Sequence, residues 1–99
     1  MTVALHTLHF AFENRIRLGV MSALAVREEA DFTSLRDMLG ATDGNLATHL
    51  AVLERLKFIS ARKGSGGRKR VTWYSMTKAG RNAFVAHIDT LERVLKELR

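Results

Sequence analysis

The residues best suited to chemistry in this sequence are cationic, and they are crowded together. From Arg55 to Arg81 stand Arg55, Lys57, Arg62, Lys63, Arg68, Lys69, Arg70, Lys78 and Arg81, with no Asp or Glu among them. The rest of the chain carries seven basic and ten acidic residues, a net −3, so the whole formal charge of +6 arises within these 27 residues. A block of one sign is the electrostatic footprint of a polyanion binder, because Lys and Arg release the counterions condensed on phosphates. By charge alone, a solvated surface run kept for solubility has the same appearance.

No set of residues assembles a catalytic or metal centre. His6 and His9 lie three apart near the N-terminus, without the Glu of a metalloprotease motif or a cysteine to complete a site. The chain has no cysteine at all, which excludes a disulfide scaffold and a thiolate metal cage. Gly64 to Gly67 precede a strand-like run rather than a helix, so they do not form a nucleotide phosphate loop. No nucleophile has a recognisable base. The reading is a non-enzyme with no cofactor and no metal.

The 99 residues make one domain, 1–99, with a thin core of its own. Its 46% apolar and 26% charged residues are those of a globular chain. The longest apolar stretch, Leu18 to Val26, is broken by Gly19 and Ser22 and is far short of the ~20 residues of a membrane span. The N-terminus has no basic region followed by an apolar run, so no signal peptide is expected. A cytoplasmic protein that does not enter the membrane follows as the expectation.

The positioning elements are legible from periodicity. Phe12, Ile16, Val20 and Leu24 recur every four residues and predict a helix over Phe12–Val26. Thr33 suits the cap of a short second helix facing Leu35, Met38 and Leu39 inward, with Gly40 at its stop. Thr42 suits the cap of a third, with Asp43 complementing the helix dipole and Leu46, Leu50, Leu53 and Leu56 as its core stripe. So short a connection is that of a helix-turn-helix, over about 33–57. Phe58 to Arg62 reads as a strand, Gly64–Gly67 as a flexible turn, and Val71–Met76 as a second strand. Together they form a hairpin over about 58–76 with Arg68, Lys69 and Arg70 at its tip. Thr77 caps a last helix over about 77–98. The fold class is mainly α with a small β-hairpin (α+β).

Helix, helix, recognition-type helix, hairpin, helix is the order of a winged helix-turn-helix. FTSLRDMLG, TDGNLATHLAVLERLKFI, the basic glycine hairpin and TWYSMTKAGR carry the resemblance, from about Phe12 to Leu98. On these the chain resembles small winged-helix transcription regulators related to the MarR and ArsR groups. TWYSMTKAGR is similar to the family's T-x-Y-x-L-T-x-x-G-R run, with Met76 in place of Leu. At Lys57 the family usually places a glycine that ends the recognition helix, so the turn into the hairpin is expected to differ here. Metal-sensing relatives use cysteine clusters or Asp and His along the last helix, where this chain has only His87 and Asp89.

The resemblance implies double-stranded DNA as partner, with the third helix in the major groove. The polar and glycine positions off the leucine stripe near its N-terminal end are Asp43, Gly44, Asn45, Thr48 and His49, and Thr42 precedes them. Asn pairs bidentately with adenine and Thr reaches several base edges, so Asn45, Thr48 and His49 are favoured as groove contacts. His49 half-packed beside Leu50 and Leu53 is the structural alternative. Asp43 reads equally as a first-turn helix residue. Thr33 and Ser34 are candidate phosphate donors, as are Arg62, Lys63, Arg68, Lys69 and Arg70 in the wing, with one Arg entering the minor groove.

The last helix carries a separate signal. Phe84, Ile88, Leu91, Leu95 and Leu98 keep coiled-coil spacing, which predicts a homodimer seam joined by Val3, Leu5, Leu8 and Phe10. Packing back on the first helix is the alternative. The function expected is a sequence-specific transcription regulator on operator DNA. The rivals are a winged-helix protein-interaction module and a non-specific architectural nucleic-acid binder. No polar constellation names a small-molecule effector.

Overall fold

The computed structural model describes residues 3–66 and 69–99. Among them run two 3-10 turns, Leu5–Thr7 and Phe10–Phe12, and helices α1 (Arg15–Ala25), α2 (Phe32–Leu39), α3 (Asp43–Arg55) and α4 (Lys78–Leu98). Strands β1 (Ala30–Asp31), β2 (Ile59–Gly66) and β3 (Lys69–Met76) form an antiparallel sheet in the order β1-β3-β2.

Local chemistry explains most boundaries. Asn14 caps α1, its Oδ1 accepting from the Ile16 and Arg17 amides at 2.9 and 3.0 Å. The helix therefore starts at Arg15, and Phe10–Phe12 form a turn of their own. Asp31, not Thr33, caps α2: its carboxylate accepts from the Ser34 amide at 3.3 Å and from the Ser34 hydroxyl at 2.6 Å. A carboxylate at the positive end of the helix dipole suits this place, and Thr33 falls inside the first turn. Gly40 ends α2 with φ +60°, the left-handed conformation that a side chain disfavours. Thr42 caps α3 by accepting from the Asn45 amide at 3.1 Å.

Two departures come from tertiary pairing. β1 leaves no sign in the sequence, because two residues are too short to show a period-2 pattern; Ala30 faces Tyr74 and Asp31 faces Trp73 across the ladder. β2 continues through Gly64, Ser65 and Gly66, opposite Val71, Arg70 and Lys69. The β-branched and aromatic β3 supplies the pairing edge that these glycines alone lack, so the first three residues of the expected flexible turn belong to the ladder. The turn after α3 also keeps the geometry expected of glycine: Lys57 has φ +65°, the one non-glycine residue at positive φ among those described.

The core gathers Phe12, Ile16, Val20, Met21 and Leu24 against Leu35, then Leu46, Leu50 and Leu53 of α3, Ile59 and Tyr74 of the sheet, and Phe84 of α4. This buries the expected stripes of α1 and α3; Leu56 is only half-buried. The start of α4 is bolted to the turn after α3. Thr77 donates its hydroxyl to the Lys57 carbonyl at 2.6 Å and its amide to the Phe58 carbonyl at 3.0 Å, while its Oγ1 accepts from the Gly80 amide at 2.9 Å. Gly80 lies flush on the Phe58 carbonyl, leaving no room for a Cβ. Phe84 meets Phe12 edge to face at 5.3 Å between ring centroids. One turn on, buried His87 accepts from the His9 amide at 3.1 Å, and Thr90 bonds Thr7 at 2.8 Å.

Candidate nucleic-acid interface

Because Leu46, Leu50 and Leu53 face inward, α3 presents the opposite side to solvent: Gly44, Asn45, Ala47, Thr48 and Ala51 are exposed. Asn45 and Thr48 make no side-chain hydrogen bond to any other described residue, so their donors and acceptors are available to base edges. Ala47 and Ala51 carry no polar group, so side-chain chemistry alone gives no sign of their place here. A helical wheel places them on this face, where small side chains let the helix backbone approach a groove.

The other expected contacts on α3 already have work within the fold. Thr42 is engaged in capping. Asp43 is bound by Arg36 at 2.9 Å, and Arg36 also reaches Asp37 at 3.1 Å. Asp43, then Asp37, hold that guanidinium more firmly protonated than usual. Asp43 is thus a brace between α2 and α3 whose charge is partly matched, rather than a free acceptor for cytosine. His49 is half-buried and accepts from Arg17 at Nδ1, 3.0 Å away. Its desolvation, then the charge of Arg17, hold the imidazole below its ordinary pKa.

The backbone-facing set divides in the same way. Thr33 is exposed, but the Ser34 hydroxyl is donated to Asp31 and is not a spare phosphate donor. In the wing, Lys63 and Arg70 line a shallow cleft of about 270 Å³ with Gly64 and Ser65. Arg62 is committed elsewhere: both oxygens of Glu29 accept from it at 3.0 Å, and its guanidinium lies 6.0 Å from the Trp73 ring centre. The spacing of the basic block gave no sign of this, since Glu29 lies 33 residues away in the chain. Arg68 and the side chain of Lys69 lie outside the described residues.

The seam on α4 also needs redrawing. Phe84 is 7% exposed and belongs to this chain's own core, so it cannot lead an open seam. The exposed apolar strip is Val85, Ile88, Leu91, Leu95 and Leu98, with Leu98 the most open at 79%. Leu5 and Phe10 are exposed as well, whereas Val3 and Leu8 are half-buried. No helix among the described residues is long and apolar enough to cross a membrane.

A helix-turn-helix with a bare outer face, followed by a paired basic hairpin, is the geometry of a DNA reader. The winged helix DNA-binding domain family matches residues 16–95. The chain belongs to this family. The winged-helix domain is 30% identical over 87 residues to an uncharacterised protein of Methanocaldococcus jannaschii, a match spanning 88% of this chain and 95% of that one. It superposes on a transcriptional regulator homologue of Pyrococcus horikoshii with a TM-score of 0.81 and 31% identity, over 89% of this chain and 87% of that one. Its fold is shared with ZitR, a zinc-responsive MarR family member of Lactococcus lactis, at a TM-score of 0.60 and 16% identity, over 80% of this chain and 54% of that one. The resemblance drawn from FTSLRDMLG through TWYSMTKAGR therefore holds, and Lys57 itself takes the positive φ that a helix-ending glycine would supply.

Proposed function

We propose that this winged-helix domain is a sequence-specific transcription regulator that occupies operator DNA as a homodimer. The observation that carries the reading is the outer face of α3, where Asn45 and Thr48 stand beside Gly44, Ala47 and Ala51 with no side-chain partner among the described residues. Such a face combines base-edge donors and acceptors with small residues that admit the major groove. The open cations Lys63 and Arg70 of the wing, joined by Arg68 and Lys69 in the sequence, supply phosphate contacts without base information. The strip from Val85 to Leu98 gives α4 an apolar surface for a second copy, which would set two copies of α3 about one DNA turn apart.

Selection of bound fragments from a random duplex pool tests the reading. A specific reader prefers the recovered sequence over random duplex by ~10³ or more; equal affinity for both would make the domain an architectural binder, and no affinity for either an interaction module. Replacing Arg68 and Arg70 by Ala should weaken binding to all sequences and flatten the dependence of log affinity on log salt by about two phosphate contacts. An unchanged slope removes the wing from the interface. Sedimentation at micromolar concentration should give twice the 11.1 kDa of one chain; a monomer rejects the dimer.

A further inference from the structure

One guanidinium ties the recognition helix to the N-terminal segment. Arg17 of α1 uses all three nitrogens: Nε donates to the Ala11 carbonyl at 2.7 Å, Nη2 to the Phe10 carbonyl at 3.4 Å, and Nη1 to His49 Nδ1 at 3.0 Å. The turn that holds Arg17 is itself pinned. The Ala11 amide donates to His9 Nδ1 at 3.0 Å, and the His9 amide donates to His87 on α4.

The chemistry of that last contact leaves little freedom to His49. A guanidinium has donors and no acceptor, so His49 Nδ1 must be the bare, accepting nitrogen. A neutral imidazole with a bare Nδ1 carries its proton on Nε2. Partial burial and the positive charge of Arg17 both oppose the imidazolium form. Nε2 makes no hydrogen bond to any described residue, and His49 stands one helical turn from exposed Asn45. What His49 offers is one neutral N–H donor of defined orientation.

We infer that Arg17 is a positioning residue for sequence reading: it sets His49 as an Nε2–H donor that selects an acceptor on a base edge and rejects the amino donor of cytosine. The acceptors within this class are guanine N7 or O6, adenine N7 and thymine O4. The inference rests on the DNA-reading function proposed above. It separates His49 from a purely packed histidine, which would need no fixed tautomer. It also gives Arg17 a role distinct from the cations of the wing, since all three of its nitrogens are directed at protein atoms.

The test uses the full chain with Arg17→Gln, His49→Gln and the double substitution. Binding is measured to the duplex recovered by selection and to its variants at every base pair. Imidazole 15N spectra of the free protein report the tautomer of His49. The wild type should show Nε2–H, and R17Q a mixture of both tautomers. H49Q should lose about 5–100-fold discrimination at one base pair per half-site. R17Q should lose discrimination at that same base pair, and the double variant should match H49Q, because the two residues act as one unit. The inference is overturned if R17Q lowers affinity equally for every duplex, if it leaves the base profile unchanged, or if wild-type His49 is protonated on Nδ1. Should R17Q fail to fold, Arg17→Lys decides by the same two measurements, since a single ammonium keeps the charge without the fork. A selective wild type with an unchanged R17Q profile refutes Arg17 alone. A wild-type profile flat at every base pair refutes the sequence-reading function and this inference with it.

Discussion

Lys57 offers the sharpest test of how this sequence holds its fold. It closes the turn between α3 and β2 at φ +65°, where the Cβ of an L-residue crowds the following carbonyl at a cost of roughly 1–2 kcal/mol. The conformation is imposed by its surroundings. The Lys57 amide donates to the Glu54 carbonyl at 2.9 Å, the Phe58 amide donates to the Leu53 carbonyl at 3.0 Å, and the Lys57 carbonyl accepts from Thr77. The side chain is exposed and forms no ion pair among the described residues, so little is lost by removing it. Lys57→Gly relieves the steric cost but gives the unfolded chain about 0.5–1 kcal/mol more conformational freedom. The net gain is then about 0.5–1 kcal/mol, or roughly 3–6 °C in Tm for a domain of this size. Lys57→Ala is the control, since it deletes the same charge and keeps the Cβ. Thermal unfolding followed by circular dichroism, at one protein concentration, should rank K57G above both the wild type and K57A. A K57G midpoint equal to or below that of K57A would refute the argument.

Three further outcomes follow from the contacts described. Glu29→Gln releases Arg62 and removes the anion that faces the wing from the segment before β1, so DNA affinity should rise and the log–log salt slope steepen by about one; titrations at several salt concentrations that give no steeper slope would show that Arg62 does not reach phosphate. Gly80→Ala drives a Cβ into the Phe58 carbonyl, which must displace α4 at a cost of about 1–3 kcal/mol; an unchanged urea midpoint would contradict the close approach. Burial, then neighbouring His9, hold the His87 imidazole below its ordinary pKa against an opposing pull from Glu13. The unfolded chain therefore takes up this proton first as pH falls below about 6.5, and stability declines from there while remaining whole above it. In His87→Asn, which keeps an acceptor for the His9 amide, the loss between pH 7.5 and 5.5 should be smaller; an equal loss would place the titration elsewhere.

Much of this protein was determined by local rules acting on neighbouring residues. The four-residue recurrence of Ile16, Val20 and Leu24, the leucines of α3, Thr42 and Thr77 as caps and Gly40 as a stop need only helix geometry and the hydrogen-bonding demands of helix ends. The location of the charge excess is equally local, and so is the solvent face of α3 that carries Asn45 and Thr48. Tertiary structure decided which of the polar groups are spare. Arg62 reads as a wing cation until Glu29, 33 residues away, takes its guanidinium. His49 reads as a reader or a packed residue until Arg17, 32 residues away, fixes one of its nitrogens. Phe84 reads as the first residue of a seam until Phe12 covers it. Periodicity reports a residue's direction from its own helix axis, whereas availability depends on which distant groups the fold brings within hydrogen-bond or van der Waals reach. Even the turn at Lys57 follows this division: its side chain disfavours the left-handed conformation, and the docking of Thr77 and Phe58 around it selects that conformation regardless.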